Sequence, residues 1–282
     1  MNGLEFTAGG HRWRVHLAAP VDLAIALDFD GPQPSFFVAT PAQSAPLRIG
    51  SFTGSVADGA SCNCATHSLV PHCHGTHTEC VGHVTRLPVA ISSLTPVAPC
   101  LALVVSVQPE PLGADVPAMS VGHADAGDQV IRRAALIAAA ARWLDAPFSA
   151  LVIRTLPNDP SKRHRAYAGS ASPAPYFLPE AMHWLVEREV SSLVVDVPSL
   201  DRADDGGHLA AHRAYWGLPR GAVDAAQASR GRALVTELAY VPESAPDGLY
   251  LLDLQVPAFA ADAAPSRPVL YPLQAMPLAT PQ

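Results

Sequence analysis

Hydrophobic and polar positions along the chain alternate between two periods, and most expected elements follow from them. Residues 11–40 read as strands. Residues 13–17 alternate, and the run 22–27 leads to a turn at Gly31-Pro32. A loop-rich stretch punctuated by Pro41 and Pro46 extends to about residue 60, and 66–71 forms a strand. Residues 100–108 and 151–155 are apolar enough for buried strands. Between them, Val130, Ala134, Ile137, Ala141 and Leu144 recur at helical spacing, which predicts a helix over 128–145. A second helix spans 179–189, with Pro179 in its first turn and Met182, Leu185 and Val186 on its apolar side. It feeds a strand over 192–197, and 233–238 and 248–256 complete the set. Val- and Leu-rich strands alternating with helices predict one α/β domain over residues 1–282, built on a mixed sheet.

Composition narrows the function. The 282 residues are 49% hydrophobic and 15% charged, a globular balance. A net charge of −7 argues against nucleic acid, which needs a basic face. The one short basic run, Lys162-Arg163-His164-Arg165, holds the only lysine and reads as a solvated loop. No targeting segment is visible. The most apolar run, 97–107, contains Pro99 and is too short to span a bilayer, so a cytoplasmic protein without membrane contact is expected. Five cysteines, an odd number, suit free thiols better than a disulfide framework. Cys62, Cys64 and Cys80 read as small buried apolar residues; a structural zinc site on Cys62-Asn63-Cys64 would have unusually tight spacing. No Gly-x-Gly-x-x-Gly follows a strand, so no nicotinamide or flavin site is read.

The chemistry concentrates in one window. Twelve histidines in 282 residues would place about half of one in any twelve-residue stretch, yet 72–83 holds His72, His74, His77 and His83, with Glu79 and two cysteines. Imidazole and carboxylate together suit zinc, manganese or iron, and a catalytic ion keeps one coordination position open. In extended backbone, residues two apart share a side, so His77 and Glu79 can face one ion. His72 and His74 have the opposite parity, but Gly75 permits a twist that brings one of them round, while Cys73 shares the parity of His77. His83 can stand beside the ion rather than on it.

These residues resemble the signature of the cyclase family of metal-dependent hydrolases, which includes kynurenine formamidase and isatin hydrolase: His-x-Gly-Thr-His-x-Asp-x-Pro-x-His. Gly75-Thr76-His77-Thr78-Glu79 and His83 match its middle and end, and Val195-Asp196-Val197-Pro198-Ser199-Leu200-Asp201 is similar to a second family block. Glu79 stands where the family usually has Asp. The first signature His falls on Cys73, leaving His72, through a one-residue bulge, or Cys73 itself as that ligand. The resemblance implies a swivelling β/β/α architecture. It also implies one or two divalent ions, zinc or manganese, held by His72, His77, Glu79, His212 and Glu237, with His83 moving the proton. It further implies hydrolysis of an aryl formamide or cyclic amide, with lactone or ester opening or a non-catalytic metal binder as alternatives. A small-molecule substrate and a homodimer or homotetramer complete that expectation. Trp216 and Phe36 would be loop aromatics able to stack on a flat substrate. Asp196, Ser199 and Asp201 either cap a turn or orient a ligand histidine, and Arg154 forms a local ion pair or a carboxylate clamp.

Overall fold

The computed structural model describes residues 3–37, 40–113, 123–167 and 174–277. Eleven described strands form one mixed sheet: β1 (Gly3–Ala8), β2 (His11–His16), β3 (Val21–Asp22), β4 (His77–Glu79), β5 (Cys100–Val107), β6 (Ala150–Thr155), β7 (Ser192–Val195), β8 (Leu234–Glu237), β9 (Gly248–Gln255), β10 (Ala263–Pro265) and β11 (Arg267–Met276). Their order is β1-β2-β11-β9-β5-β6-β7-β8-β4-β10, with β3 paired to β11. The centre, β5 to β8, is parallel; its flanks are antiparallel. The expected α/β class with a mixed sheet is what forms.

The central strands are buried on both faces, so their side chains divide by parity. Leu103, Val105, Leu151, Ile153, Leu193, Val195 and Val235 point to one side. There they pack against helices α1 (Arg133–Ala140), α2 (Pro179–Glu187) and α3 (Ala210–Trp216) through Leu136, Met182, Leu185, Tyr215 and Trp216. Ala102, Val104, Val152, Val194 and Leu234 face the other way and meet Leu23, Leu252 and Leu270. No described helix is long and apolar enough to cross a membrane.

Several expectations need correction. The helix predicted over 128–145 begins only at Arg133. Gln129–Ile131 instead forms a short strand against Glu110–Pro111 and Tyr176–Phe177, where Val130 packs with Tyr176 and Leu178. Tertiary pairing overrides the helical spacing there. Of the strand expected over 22–27, only Val21–Asp22 pairs regularly. Cys62 and Cys64 are exposed rather than buried, while Cys80 is buried with its thiol donating to Val89 O; all five thiols are unpaired.

The basic run also departs from its reading. Lys162 is buried, and its ammonium donates to Thr155 O, Thr155 Oγ1 and Asp196 Oδ2 at 2.6, 2.9 and 2.8 Å. A buried carboxylate supplies what water would otherwise supply. Arg154 forms the expected local ion pair, with Asp247 at 2.8 Å.

Candidate metal centre

The site forms where β4 pairs antiparallel with β8, beside the parallel strands of the sheet. His77 and Glu79 lie two apart on β4, and both are fully buried. Thr78 faces the other way, with its hydroxyl 2.7 Å from Thr236 Oγ1 on β8. The antiparallel register sets Glu237 of β8 opposite His77, which brings His77 Nε2 to 3.4 Å from Glu237 Oε2. Leu200 N donates to Glu237 Oε1 at 2.7 Å and fixes that carboxylate.

The loop before β4 delivers His72. The amides of Cys73 and His74 both bond Val70 O, and Gly75 sits at φ +131°, a conformation that disfavours side chains. This turn absorbs the additional residue. His72 Nδ1 then reaches Glu79 Oε2 at 3.0 Å, whereas Cys73 is buried beside Phe36, whose amide bonds the Cys73 carbonyl. His74 turns away, its Nδ1 accepting from Val70 N. His83 stands on the single turn Val81–Val84, its ring centroid 4.3 Å from that of His72 and its Nδ1 3.7 Å from Glu79 Oε2.

His212 arrives from the opposite side on α3. The helix is short and rich in alanine, so it escaped the reading of periodicity, but its entry is strongly held. Asp205 accepts from Gly207 N and Leu209 N, and Leu209 adopts φ 46°. Asp201 accepts from Ala211 N and His212 N, and its Oδ2 lies 2.6 Å from His212 Nδ1. His212 Nε2 is thereby aimed at Glu79 Oε1, 2.8 Å away, and at Glu237 Oε1, 3.3 Å away.

All six sequence-derived candidates, His72, His77, Glu79, His83, His212 and Glu237, therefore converge. A seventh residue joins them unannounced. Asp262, in the loop before β10, places Oδ2 2.9 Å from His72 Nε2 and 3.5 Å from His83 Nδ1. No local pattern around Ala261-Asp262-Ala263 marks it; only the pairing of β10 with β4 brings it in. Two candidate aromatics fall elsewhere. Trp216 is not on a loop but fully buried in α3, its indole donating to Ala233 O, so it cannot stack on a substrate. Phe36 is buried and lines a cavity of about 200 Å³ with Tyr167, Tyr176 and Asp201.

The electrostatics ask for a cation. Burial would push the Glu79 carboxyl up, but the His83 and His212 imidazoles and the contact with His72 hold it well below its usual range. Burial and the neighbouring Glu79 charge likewise oppose ionisation of Glu237, yet His212 and His77 keep it lowered. His212 moves well above its usual value because Glu79, Asp201 and Glu237 outweigh burial. Fit to a metal can be judged from the ligand atoms. His77 Nε2, both oxygens of Glu79 and His212 Nε2 are buried without a hydrogen-bond partner. Buried orphans of this kind are costly, and one or two ions held among them would satisfy them. The ligand atoms of His72, His77 and Glu79 lie within 4.8 Å of one another, as do those of Glu79, His83 and His212. The residues fit a divalent ion.

The family model described as "Putative cyclase" matches residues 21–202. The chain belongs to the cyclase family.

Solved structures share the fold at low sequence identity. A predicted metal-dependent hydrolase from Bacillus stearothermophilus is 13% identical, covers 90% of this chain and 98% of its own, and superposes with a TM-score of 0.55. A structure described as a novel cyclase is 16% identical over 89% of this chain and 88% of its own, with a TM-score of 0.54. An isatin hydrolase bound to the product analogue thioisatinate is 14% identical over 90% of this chain and 92% of its own, with a TM-score of 0.52. A comparison with curated proteins gave no match. The Glu79 carboxylate touches His72 through Oε2 and His212 through Oε1.

Proposed function

We propose that this cyclase-family chain is a metal-dependent hydrolase that opens the C–N bond of an aryl formamide or a cyclic amide. The observation that carries the reading is the gathering of buried, unpartnered imidazole and carboxylate atoms of His77 and Glu79 from β4 and His212 from α3, beside the Glu237 carboxylate of β8. His72, His77, Glu79, His212 and Glu237 would hold one or two divalent ions. A donor set of nitrogen and oxygen without thiolate suits zinc first and manganese second. When bound, such an ion supplies Lewis acidity toward a carbonyl and lowers the pKa of water to about 7.

The chain's own residues supply the rest. His77, Glu79 and His212 close the deep side, while His72, His83 and Asp262 remain partly exposed, so a substrate approaches from their side. His83 has no carboxylate oxygen closer than 3.5 Å, and it is placed to take a proton and return it to the departing amine. The cyclic-amide class draws support from the fold shared with the isatin hydrolase. A cytoplasmic setting agrees with the unpaired thiols. A homodimer or homotetramer is part of the same reading. The ribbons Gln43–Pro46 with Ala65–Ser68 and Arg48–Ile49 with Phe52–Thr53 are largely exposed, and two-stranded ribbons are marginal on their own.

The test is elemental analysis of the purified protein followed by formanilide and isatin assays, with and without a chelator. Metal near stoichiometry and chelator-sensitive turnover are expected. Metal-free protein that takes up neither zinc nor manganese would sink the proposal.

A further inference from the structure

Asp262 has no counterpart in the sequence signatures and lies outside the span matched by the family model. Its carboxylate nevertheless touches two members of the site. Oδ2 sits 2.9 Å from His72 Nε2 in a hydrogen bond and 3.5 Å from His83 Nδ1 in a looser contact. The side chain is only partly exposed, and the backbone at Asp262 and just before it is pinned. Cys80 N donates to Asp262 O at 3.1 Å, and Ile91 N donates to Ala261 O at 2.6 Å. Gly82 makes this closeness possible, since a Cβ there would stand 2.4 Å from Val89 O and 3.1 Å from Asp262 Cβ.

The hydrogen bond to Asp262 dictates the tautomer of His72. An ionised carboxylate can only accept, so Nε2 carries the proton that Asp262 receives. The lone pair of the neutral ring then lies on Nδ1, which faces Glu79 Oε2 at 3.0 Å. The other candidate ligands follow the same plan: His212 gives Nδ1 to Asp201 and aims Nε2 inward, and His77 gives Nδ1 to Gly75 O and aims Nε2 inward. Each ring has one nitrogen tied to an oxygen and the other turned inward toward the Glu79 and Glu237 carboxylates. Ligand histidines held this way bind more tightly.

We infer that Asp262 is a positioning residue, holding His72 in the tautomer that presents Nδ1 to the ion and steadying the His83 ring beside it. Its action on His83 rests on the hydrolase reading; its action on His72 rests only on metal binding. Full-length wild type, Asp262→Asn and Asp262→Ala are titrated with zinc alone against a chromophoric chelator, with circular dichroism melts confirming the fold. Asp262→Ala should bind zinc about ten- to a hundredfold more weakly. Asp262→Asn, which keeps an oxygen that accepts from Nε2, should lose less, and it decides the matter should the alanine variant fail to fold. At saturating zinc, Asp262→Ala should lower kcat with little change in KM, and Asp262→Ala with His83→Ala should be no slower than His83→Ala alone. Wild-type zinc affinity in both Asp262 variants overturns the role on His72, and multiplicative losses in the double variant overturn the role on His83. If wild type binds zinc but turns over no amide, the hydrolase reading fails while the zinc titration still decides Asp262.

Discussion

Asp201 holds His212 three times over: it accepts from the backbone amides of Ala211 and His212 and lies 2.6 Å from the His212 ring nitrogen Nδ1. One carboxylate thus caps the first turn of a helix and orients the ring that the helix carries. Both effects should be separable. Asp201→Asn keeps an oxygen for one of the two amides, since Ala211 N bonds Oδ1 and His212 N bonds Oδ2, so it should cost less stability than alanine yet weaken zinc binding on the order of tenfold. Asp201→Ala loses the cap as well and should cost about 1–2 kcal/mol in addition. Urea unfolding beside a chelator competition reads the two losses. Equal zinc affinity in both variants and wild type would remove Asp201 from the site.

Deep and rim histidines should respond differently to truncation. His77 is fully buried and its Nε2 has no other partner, so His77→Ala should lose metal and activity together. His83 is partly exposed, with no atom closer than 3.5 Å to a carboxylate among the described contacts. His83→Ala should retain the metal while turnover falls on the order of a hundredfold or more. Elemental analysis of both variants, alongside kcat, separates ligand from proton carrier. Metal loss in His83→Ala would move that residue into the coordination set.

Metal loading should release protons and reshape the dependence of stability on pH. In the metal-free chain, burial works to lower the His72 pKa, but hydrogen bonds and attraction from Asp262 and Glu79 raise it from 6.5 to about 10. A raised histidine stabilises the fold fully below pH 6.5, and that contribution is lost as pH climbs through about 10. Asp262, lowered chiefly by its bond to His72, and Glu79, lowered by its histidines, contribute at neutral pH and lose that contribution in acid. Chelator-treated protein should therefore melt at a lower temperature at pH 9 than at pH 6.5. Zinc, which needs the deprotonated ring, should erase most of that drop and bind more tightly as pH rises. A melting temperature of the chelated protein that is flat over this range would contradict the assignment.

What the sequence revealed divides along locality. His72, His77, Glu79 and His83 sit in one twelve-residue window, and the period of β4 places His77 and Glu79 on one side, so their partnership could be read directly. His212 and Glu237 came only through resemblance, because α3 is short, opens on two glycines and a left-handed Leu209, and shows no long periodic face. Asp262 was invisible, since it reaches His72 across 190 positions through the β10–β4 pairing. Val130 misled for the opposite reason. Its spacing to Ala134 and Ile137 is helical, but a partner strand at Tyr176–Phe177 claims it first.

Lys162 gives the sharpest case of a surface pattern with a buried meaning, and it yields the last prediction. Two arginines and a histidine follow it in sequence, yet its ammonium is enclosed by Thr155 and by Asp196, 34 residues away. Burial pushes the Asp196 carboxyl up, and the bonds from Lys162 and Thr155 only partly offset this. Removing the ammonium would leave that carboxylate with the Thr155 amide and hydroxyl alone. Lys162→Met should therefore destabilise the fold by about 3–5 kcal/mol. Adding Asp196→Asn removes the stranded charge and should restore a substantial part of that loss, because breaking one side of a buried pair costs more than replacing both. Urea midpoints for the single and double variants settle the point, and a Lys162→Met protein as stable as wild type would return the basic run to solvent.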